Sequence, residues 1–198
     1  AADDLDGDGW PDLALNATNN TLLVYKNALS VGSISFSSAF APIGSSTTFY
    51  SVAISDLDAD GKPDIVMGGA GGAAGTISIF RNLSTSSISF STVNTSFSTG
   101  SYAYGSTVGD IDGDGKPDII TVHDTSNGNL IYVMRNTTTG IGIIAFAPAV
   151  SFPPGVNAYG VCLGDLNGDN KSDVATPSHS NNNVYVLRNT AITGSINT

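Results

Sequence analysis

The stretch Asp56–Asp64, DLDADGKPD, sets four carboxylates and a lysine within nine residues. Carboxylates this close repel one another, and some must protonate unless a cation joins them. The same pattern occurs at Asp4–Asp12 (DLDGDGWPD), Asp110–Asp118 (DIDGDGKPD) and Asp165–Asp173 (DLNGDNKSD). Recurrence at a near-constant interval is the signature of a repeat architecture, and it decides how the rest of the chain is read.

The segments between the acidic stretches repeat as well. Each stretch is followed by a short apolar run (LALNA, IVMGG, IITVH, VATPS) and a polar or Gly-rich turn. An alternating run then ends in a basic residue and Asn (LLVYKN, ISIFRN, IYVMRN, VYVLRN). SISF follows at Ser33–Phe36 and Ser87–Phe90, with IIAF at Ile143–Phe146 and the start of another copy at Ser195. A last apolar run (YSVAIS, YGSTVG or YGVCLG) leads into the next acidic stretch.

Short runs rich in β-branched residues and bounded by turn residues are strands, and no 3.6-residue periodicity of useful length is present. All 17 acidic residues are Asp, and the chain contains neither Glu nor Gln, so two good helix formers are missing. Four strands per unit predict an all-β chain of β-propeller blades, each of four antiparallel strands. A β-sandwich is the alternative, but it does not require near-identical units.

The expected organisation is a single propeller segment over 1–198, with repeats at approximately 1–55, 56–109, 110–164 and 165–198. That makes about four blades, hence a partial propeller or a ring completed by oligomerisation. Only Ala1 and Ala2 precede the first acidic stretch, so blade one is expected to lack its innermost strand, and blade four most of its outer one.

In the acidic loop, positions 1, 3 and 5 (Asp56, Asp58, Asp60) project oxygens toward one centre. Position 7 offers a backbone carbonyl, that of Lys62, and Asp64 at position 9 closes the sphere. Such a set suits Ca2+, which takes 6–8 oxygens in forgiving geometry, better than Mg2+ or a transition metal. Gly61 at position 6 permits the sharp turn. An EF-hand would need Glu at position 12, where this chain has Leu15, Met67, Thr121 and Thr176. Asp and Gly are turn residues in any case, but fifteen of the 17 Asp fall at ligand positions of the four loops, which chance turns do not explain. The fourth loop departs from the rest: Asn167, Asn170 and Ser172 replace Asp, Gly and Pro, so a weaker site is expected there.

A net charge of −10 argues against nucleic acid as a partner. Four dications would bring it to about −2. No stretch approaches the roughly 18 apolar residues of a membrane span. The one cysteine, Cys162, lies in an apolar run and is expected to be a small buried hydrophobe.

The chain resembles the FG-GAP and VCBS repeats of the integrin-α type β-propeller. The resemblance rests on four phased DxDxDGxPD loops, on Tyr104-Gly105 and Tyr159-Gly160 six residues before two of them, and on the spacing of the basic residue, Asn and SISF. The family's GAP element is not recognisable here. The resemblance implies Ca2+, up to four ions, in the loop joining the first and second strands of each blade. The implied ligands are Asp4, Asp6, Asp8, the carbonyl of Trp10 and Asp12; Asp56, Asp58, Asp60, the carbonyl of Lys62 and Asp64. The third and fourth sets are Asp110, Asp112, Asp114, the carbonyl of Lys116 and Asp118, then Asp165, Asn167, Asp169, the carbonyl of Lys171 and Asp173.

The resemblance also implies a non-enzymatic, extracellular or cell-surface module for binding or adhesion. Its partner is a protein or glycan, or further copies that complete the ring, and the loops opposite the calcium carry the contacts. Those loops are expected at Asn16–Thr21, Gly68–Gly75, His123–Asn129 and His179–Asn183, with blade connections near Ala41–Phe49, Asn94–Tyr102 and Pro148–Ala158. A lectin, or the scaffold of a larger secreted enzyme, are the alternatives. No Ser-His-Asp order or phosphate cradle is visible. His123 and His179 are expected at the surface. Lys26, Arg81, Arg135 and Arg188 are expected to brace their blades by pairing with Asp, and Tyr50, Tyr104 and Tyr159 to pack between blades. Glycosylation sequons fall at Asn16, Asn19, Asn82, Asn94 and Asn136.

Overall fold

The computed structural model describes residues 1–17, 20–28, 31–44, 48–71, 74–91, 95–99, 102–123, 130–153, 157–179 and 182–196. Blade one holds β1 (Ala2–Asp3), β2 (Asp12–Ala17), β3 (Thr21–Asn27) and β4 (Phe36–Gly44). Blade two holds β5 (Thr48–Ser55), β6 (Asp64–Gly71), β7 (Ala74–Phe80) and β8 (Thr95–Ser98). Blade three holds β9 (Ala103–Gly109), β10 (Asp118–His123), β11 (Ile131–Met134) and β12 (Val150–Phe152). Blade four holds β13 (Cys162–Gly164), β14 (Asp173–Ser178) and β15 (Asn183–Leu187). Within each sheet the strands pair antiparallel in chain order, and among the described residues there is no helix. The all-β blade architecture expected from the repeats is therefore present as an unclosed set of sheets.

Blade one departs from expectation at its start. It keeps a two-residue innermost strand, with Ala2 opposite Leu13 and Asp3 opposite Asp12. The Ala1 ammonium donates to the Ala14 carbonyl at 3.0 Å, which anchors this stub.

The SISF segment is not the fourth strand of blades two and three. Leu83 N–H donates to Ser89 O (2.8 Å) and Ser91 N–H to Arg81 O (2.9 Å), closing a hairpin beyond the basic residue. Thr137, Ala145, Arg135 and Ala147 repeat it in blade three. The hairpin turns Phe90 inward, where it is buried with Leu5 and Phe80 between blades one and two. The fourth strand follows later, so β8 and β12 occupy ground expected to be blade connections. The Gly68–Gly75 loop shrinks too, because β6 runs on to Gly71 and β7 starts at Ala74. A Cβ on Gly68 would lie 2.5 Å from Ser51 Oγ and 3.0 Å from Ala103 O, so glycine is what lets β6 pass this close to its neighbours.

The core lies between blades. Alternate residues of a strand face opposite ways, so Ile65 and Met67 pack against Ala14, Leu22 and Val24 of blade one. Val66, with Ile77 and Ile79, meets Ile119 and Met134 of blade three. Ile120, Val122, Ile131 and Val133 meet Val174 and Leu187 of blade four. Burying each such side chain stabilises by about 1.5–3 kcal/mol. Strands covered on both faces read as unbroken apolar runs, and β10 is buried along its whole length. His123, at its end, is buried rather than on the surface because it sits on the face turned to blade two. Its Nε2 lies 2.6 Å from Thr121 Oγ1 and its ring stacks on Tyr132. Cys162 is exposed, not buried, because β13 lies in blade four, whose outer face none of the other described strands covers.

Candidate metal centre

Each acidic loop is built on its first Asp. Asp4 Oδ1 accepts from the amides of Gly7 (2.8 Å) and Asp8 (3.1 Å), and its Oδ2 from Gly9 (2.7 Å). Asp110 and Asp165 gather the equivalent three amides, and Asp56 gathers those of Asp60 and Gly61. Wrapping amides round one carboxylate demands a left-handed residue at position 6. Gly9, Gly61 and Gly115 sit at φ of 88°, 84° and 84°, and Asn170 at 63°. Asn is among the few side chains that tolerate this region, so its replacement of Gly leaves the turn intact.

The last Asp holds the loop to the sheet. Asp64 Oδ2 accepts from Leu57 N–H (3.0 Å) and its Oδ1 from Asn82 N–H (2.8 Å). Asp12, Asp118 and Asp173 do the same, and all four are buried. Burial, reinforced by the charges of Asp58 and Asp60, pushes the Asp64 carboxyl up to about 7 despite its amide donors. Burial likewise raises Asp118 to about 6, with Asp112 and Asp114 as its charged neighbours, and raises Asp12. A buried carboxylate among carboxylates is stable as an anion only with a cation beside it.

The in-phase basic residues supply part of that charge. Arg81 Nε donates to Asp58 and its terminal nitrogen to Asp60, both at 2.6 Å. Arg135 pairs the same way with Asp112 and Asp114, and Lys26 with Asp6 and Asp8. The bracing role expected for these cations is thus what the structure shows, and its targets are the loop carboxylates at positions 3 and 5. Among the described residues Arg188 pairs with Asp169 alone, at 3.2 Å, and it is largely exposed, so it contributes little.

The cations do not saturate the loops. Asp6 Oδ1 and Asp58 Oδ1 are buried and accept no hydrogen bond. Both belong to clusters whose carboxylate oxygens lie within 4.8 Å of one another: Asp4, Asp6 and Asp8 in the first loop, Asp56, Asp58 and Asp64 in the second. Asp110, Asp112 and Asp118 form the third cluster. An all-oxygen donor set with buried lone pairs left over fits a hard dication such as Ca2+. The fourth loop differs. Asn167 turns its amide nitrogen to Asp173 Oδ2 (3.2 Å) and spends its oxygen on the Asp169 amide (2.9 Å), so among the described residues the close carboxylate clusters number three.

A profile described as an FG-GAP-like repeat matches residues 4–67, 56–121 and 112–176, each match running from one acidic loop into the next. The chain belongs to the FG-GAP-like repeat family. No curated protein matches it.

In this FG-GAP-like chain the loops also join one blade to the next, through a residue whose role the sequence reading missed. Asn82 Nδ2 donates to Pro63 O in its own blade and to Leu5 O in the loop of blade one, both at 2.9 Å. Its Oδ1 accepts from Ser84 N–H (2.8 Å). Asn136 binds Pro117 O, Leu57 O and Thr138 N–H in the same way. Asn189 binds Ser172 O, Ile111 O and Ala191 N–H. Each blade thus latches the second residue of the preceding loop. Asn82 and Asn136, read as sequons, are fully buried and are closed to a glycan; Asn19 and Asn94 lie outside the described residues. The signal was present in the sequence as Asn following the basic residue in all four repeats.

The repeated tyrosines pack between blades as expected. Tyr50 stacks on Tyr104 (4.5 Å), Tyr104 meets Tyr159 edge-on (5.1 Å), and Tyr159 meets His179 (5.4 Å). Tyr50 and Tyr104 lie toward the starts of β5 and β9, whose far ends lead into the acidic loops, so the ladder marks the opposite face. His179 is exposed there. Residues 124–129 of the expected second-to-third loop in blade three lie outside the described residues.

Proposed function

We propose that the chain is a non-enzymatic, extracellular propeller module that binds a protein or glycan partner and uses Ca2+ to hold its blade loops. The observation that carries the calcium reading is the pair of buried, unbonded oxygens at the same loop position, Asp6 Oδ1 and Asp58 Oδ1. In this reading positions 1, 3, 5 and 9 of the first three loops ligate, and the carbonyls of Trp10, Lys62 and Lys116 complete the spheres. Asp165, Asn167, Asp169, Lys171 and Asp173 make the weakest site. Bound Ca2+ neutralises the carboxylates that the Lys and Arg partners leave unbalanced. Dissociation constants of roughly 10⁻⁴–10⁻³ M are what extracellular modules of this kind need.

Partner contacts are assigned to the face opposite the loops. The half-exposed Tyr50 and Tyr159 favour a glycan as the second reading, since aromatic rings with a polar tip suit a wet, partly apolar surface. A glycan and matrix-protein array, run with Ca2+ and with EGTA, separates these. Specific binding that substitution of Tyr159 with Ala abolishes supports the site on that face. Binding to no array component leaves the scaffold role standing instead.

A further inference from the structure

The hairpin beyond the third strand of a blade reaches back over the acidic loop of the preceding blade, and its length differs between blades. Nine residues separate Asn136 from Phe146 in blade three, against seven between Asn82 and Phe90 in blade two. The longer hairpin turns through Gly142, at φ 85°. Its N–H donates to Asp58 Oδ2 in the loop of blade two at 2.6 Å, on the oxygen that Arg81 Nε also holds at 2.6 Å. The blade-four hairpin repeats the approach through Gly194, at φ 76°, whose N–H donates to Asp112 O at 3.2 Å. Both glycines lie over the basic residue of the preceding blade. A Cβ on Gly142 would be 3.9 Å from Arg81 Cζ, and one on Gly194 3.5 Å from Arg135 Nη2.

The blade-two hairpin is too short to do the same. It carries no glycine, and among the described residues no hydrogen bond joins its tip, residues 85–88, to the loop of blade one. Asp6 Oδ2 there has Lys26 as its partner. The hairpin bases differ in the same sense. Lys116 Nζ donates to Thr138 O at 2.7 Å and Lys171 Nζ to Ala191 O at 2.5 Å, whereas Lys62 has no such partner among the described residues. The clefts between successive loops shrink accordingly. The cleft is about 840 Å3 between loops one and two, about 520 Å3 between two and three, and about 320 Å3 between three and four. Ile141 stands in the second and Ile192 in the third, where Ser84 and Thr85 leave the first open.

We propose that the long hairpin is a cap on the cation site beneath it, so that loops two and three hold their ions while loop one exchanges its ion freely. The inference rests on the calcium reading of the loops. To release an ion, a loop must turn its carboxylates away. Asp58 must then break two bonds, one within its own blade and one to the next. Asp6 has to leave the ammonium of Lys26, which sits on a flexible stem and follows the carboxylate as it moves. The filled cleft also keeps out the water that would replace the carboxylates as ligands. Because the same cover slows entry, the affinities of the three loops stay comparable and the difference lies in the rates. Gly142 is thus a positioning residue. Loop one responds to changes in calcium, and loops two and three keep the blades joined through them.

Rapid mixing of the calcium-loaded protein with a fluorescent chelator tests the cap. Of the ions held by the three carboxylate clusters, one is expected to leave about tenfold faster than the other two, the difference that one charge-assisted hydrogen bond makes to a barrier. Asp6→Asn should remove the fast phase and Asp58→Asn a slow one. Two hairpin exchanges then move the phases in opposite directions. Replacing residues 137–145 with the blade-two sequence LSTSSIS keeps Asn136 and Phe146, and loop two is expected to join the fast phase. Replacing residues 83–89 with TTTGIGIIA sets the cap over loop one, whose release is expected to slow to the rate of the others. The number of ions bound should be the same in both. The second exchange leaves blade three as it is, so it decides the matter if the shortened hairpin fails to fold. Release of all ions at one rate, or rates that neither exchange shifts, overturns the cap and leaves the calcium reading intact. Protein that binds no calcium overturns that reading and the cap with it.

Discussion

Transferring the protein from calcium at a hundredfold excess over its dissociation constant into EGTA is expected to lower the melting temperature by roughly 15–30 °C. A ligand bound only by the folded state stabilises by about 2.7 kcal/mol per site at that excess. Three sites give about 8 kcal/mol, and each kcal/mol moves the melt of a chain this long by about 2–4 °C. The metal-free melt carries a second signature, in pH. The native carboxyls of Asp64 and Asp118 sit at about 7 and about 6, above the 3.8 of a solvated chain. The native state therefore keeps protons that the unfolded chain releases, and this contribution to stability is lost as pH rises through 6 to 7. Asp8 and Asp165 are shifted downward, by the Lys26 hydrogen bond and the Asn170 amide respectively, and oppose this only below about pH 4. In EGTA the melt is expected to be higher near pH 5 than near pH 8. Calcium should remove that rise, because the ion competes with the proton for the same oxygens. A metal-free melt that climbs between those values would mean that the loop carboxylates are already balanced by Lys26, Arg81 and Arg135.

Asn136→Ala is expected to be the most damaging single substitution at a position without charge. It removes the donor to Leu57 O and Pro117 O and the acceptor for Thr138 N–H at a fully buried site. Leaving a buried polar group unsatisfied costs about 1–3 kcal/mol, so the loss is about 3–5 kcal/mol, read as a drop in the midpoint of urea unfolding. Asn136→Asp is expected to fare no better, because its second oxygen would face two carbonyls. Asn16→Ala, at an exposed position whose one side-chain bond is a long one to Phe49 O (3.3 Å), is the control and should cost about 1 kcal/mol or less. Equal effects at Asn16 and Asn136 would contradict the latch.

The blades and their acidic loops were legible because both rest on local chemistry that recurs. Strand alternation, Gly at position 6 and the spacing of carboxylates each act within nine or so residues. What stayed hidden depends on residues far apart in the chain. Asn136 and Leu57 are 79 positions apart, and only the in-phase recurrence of Asn after the basic residue, not the local Asn-Thr-Thr, hints at a latch rather than a sequon. His123 and Cys162 were misplaced for a related reason. Their burial is set by whether another blade covers that face, which strand pattern alone does not report. The SISF segment misled because a hairpin and a fourth strand share the same β-branched composition, and only the backbone bonds of Leu83 and Ser91 separate them.

Calcium titration of chelated protein by calorimetry, at neutral pH, tests the central claim most directly. Three sites of comparable affinity are expected, from the loops beginning at Asp4, Asp56 and Asp110, with a fourth weaker or undetected at the loop of Asn167. Substituting Asp58 with Asn should remove one of the three and leave the fold intact. No heat of binding at millimolar calcium, or a count unchanged by that substitution, would contradict the account.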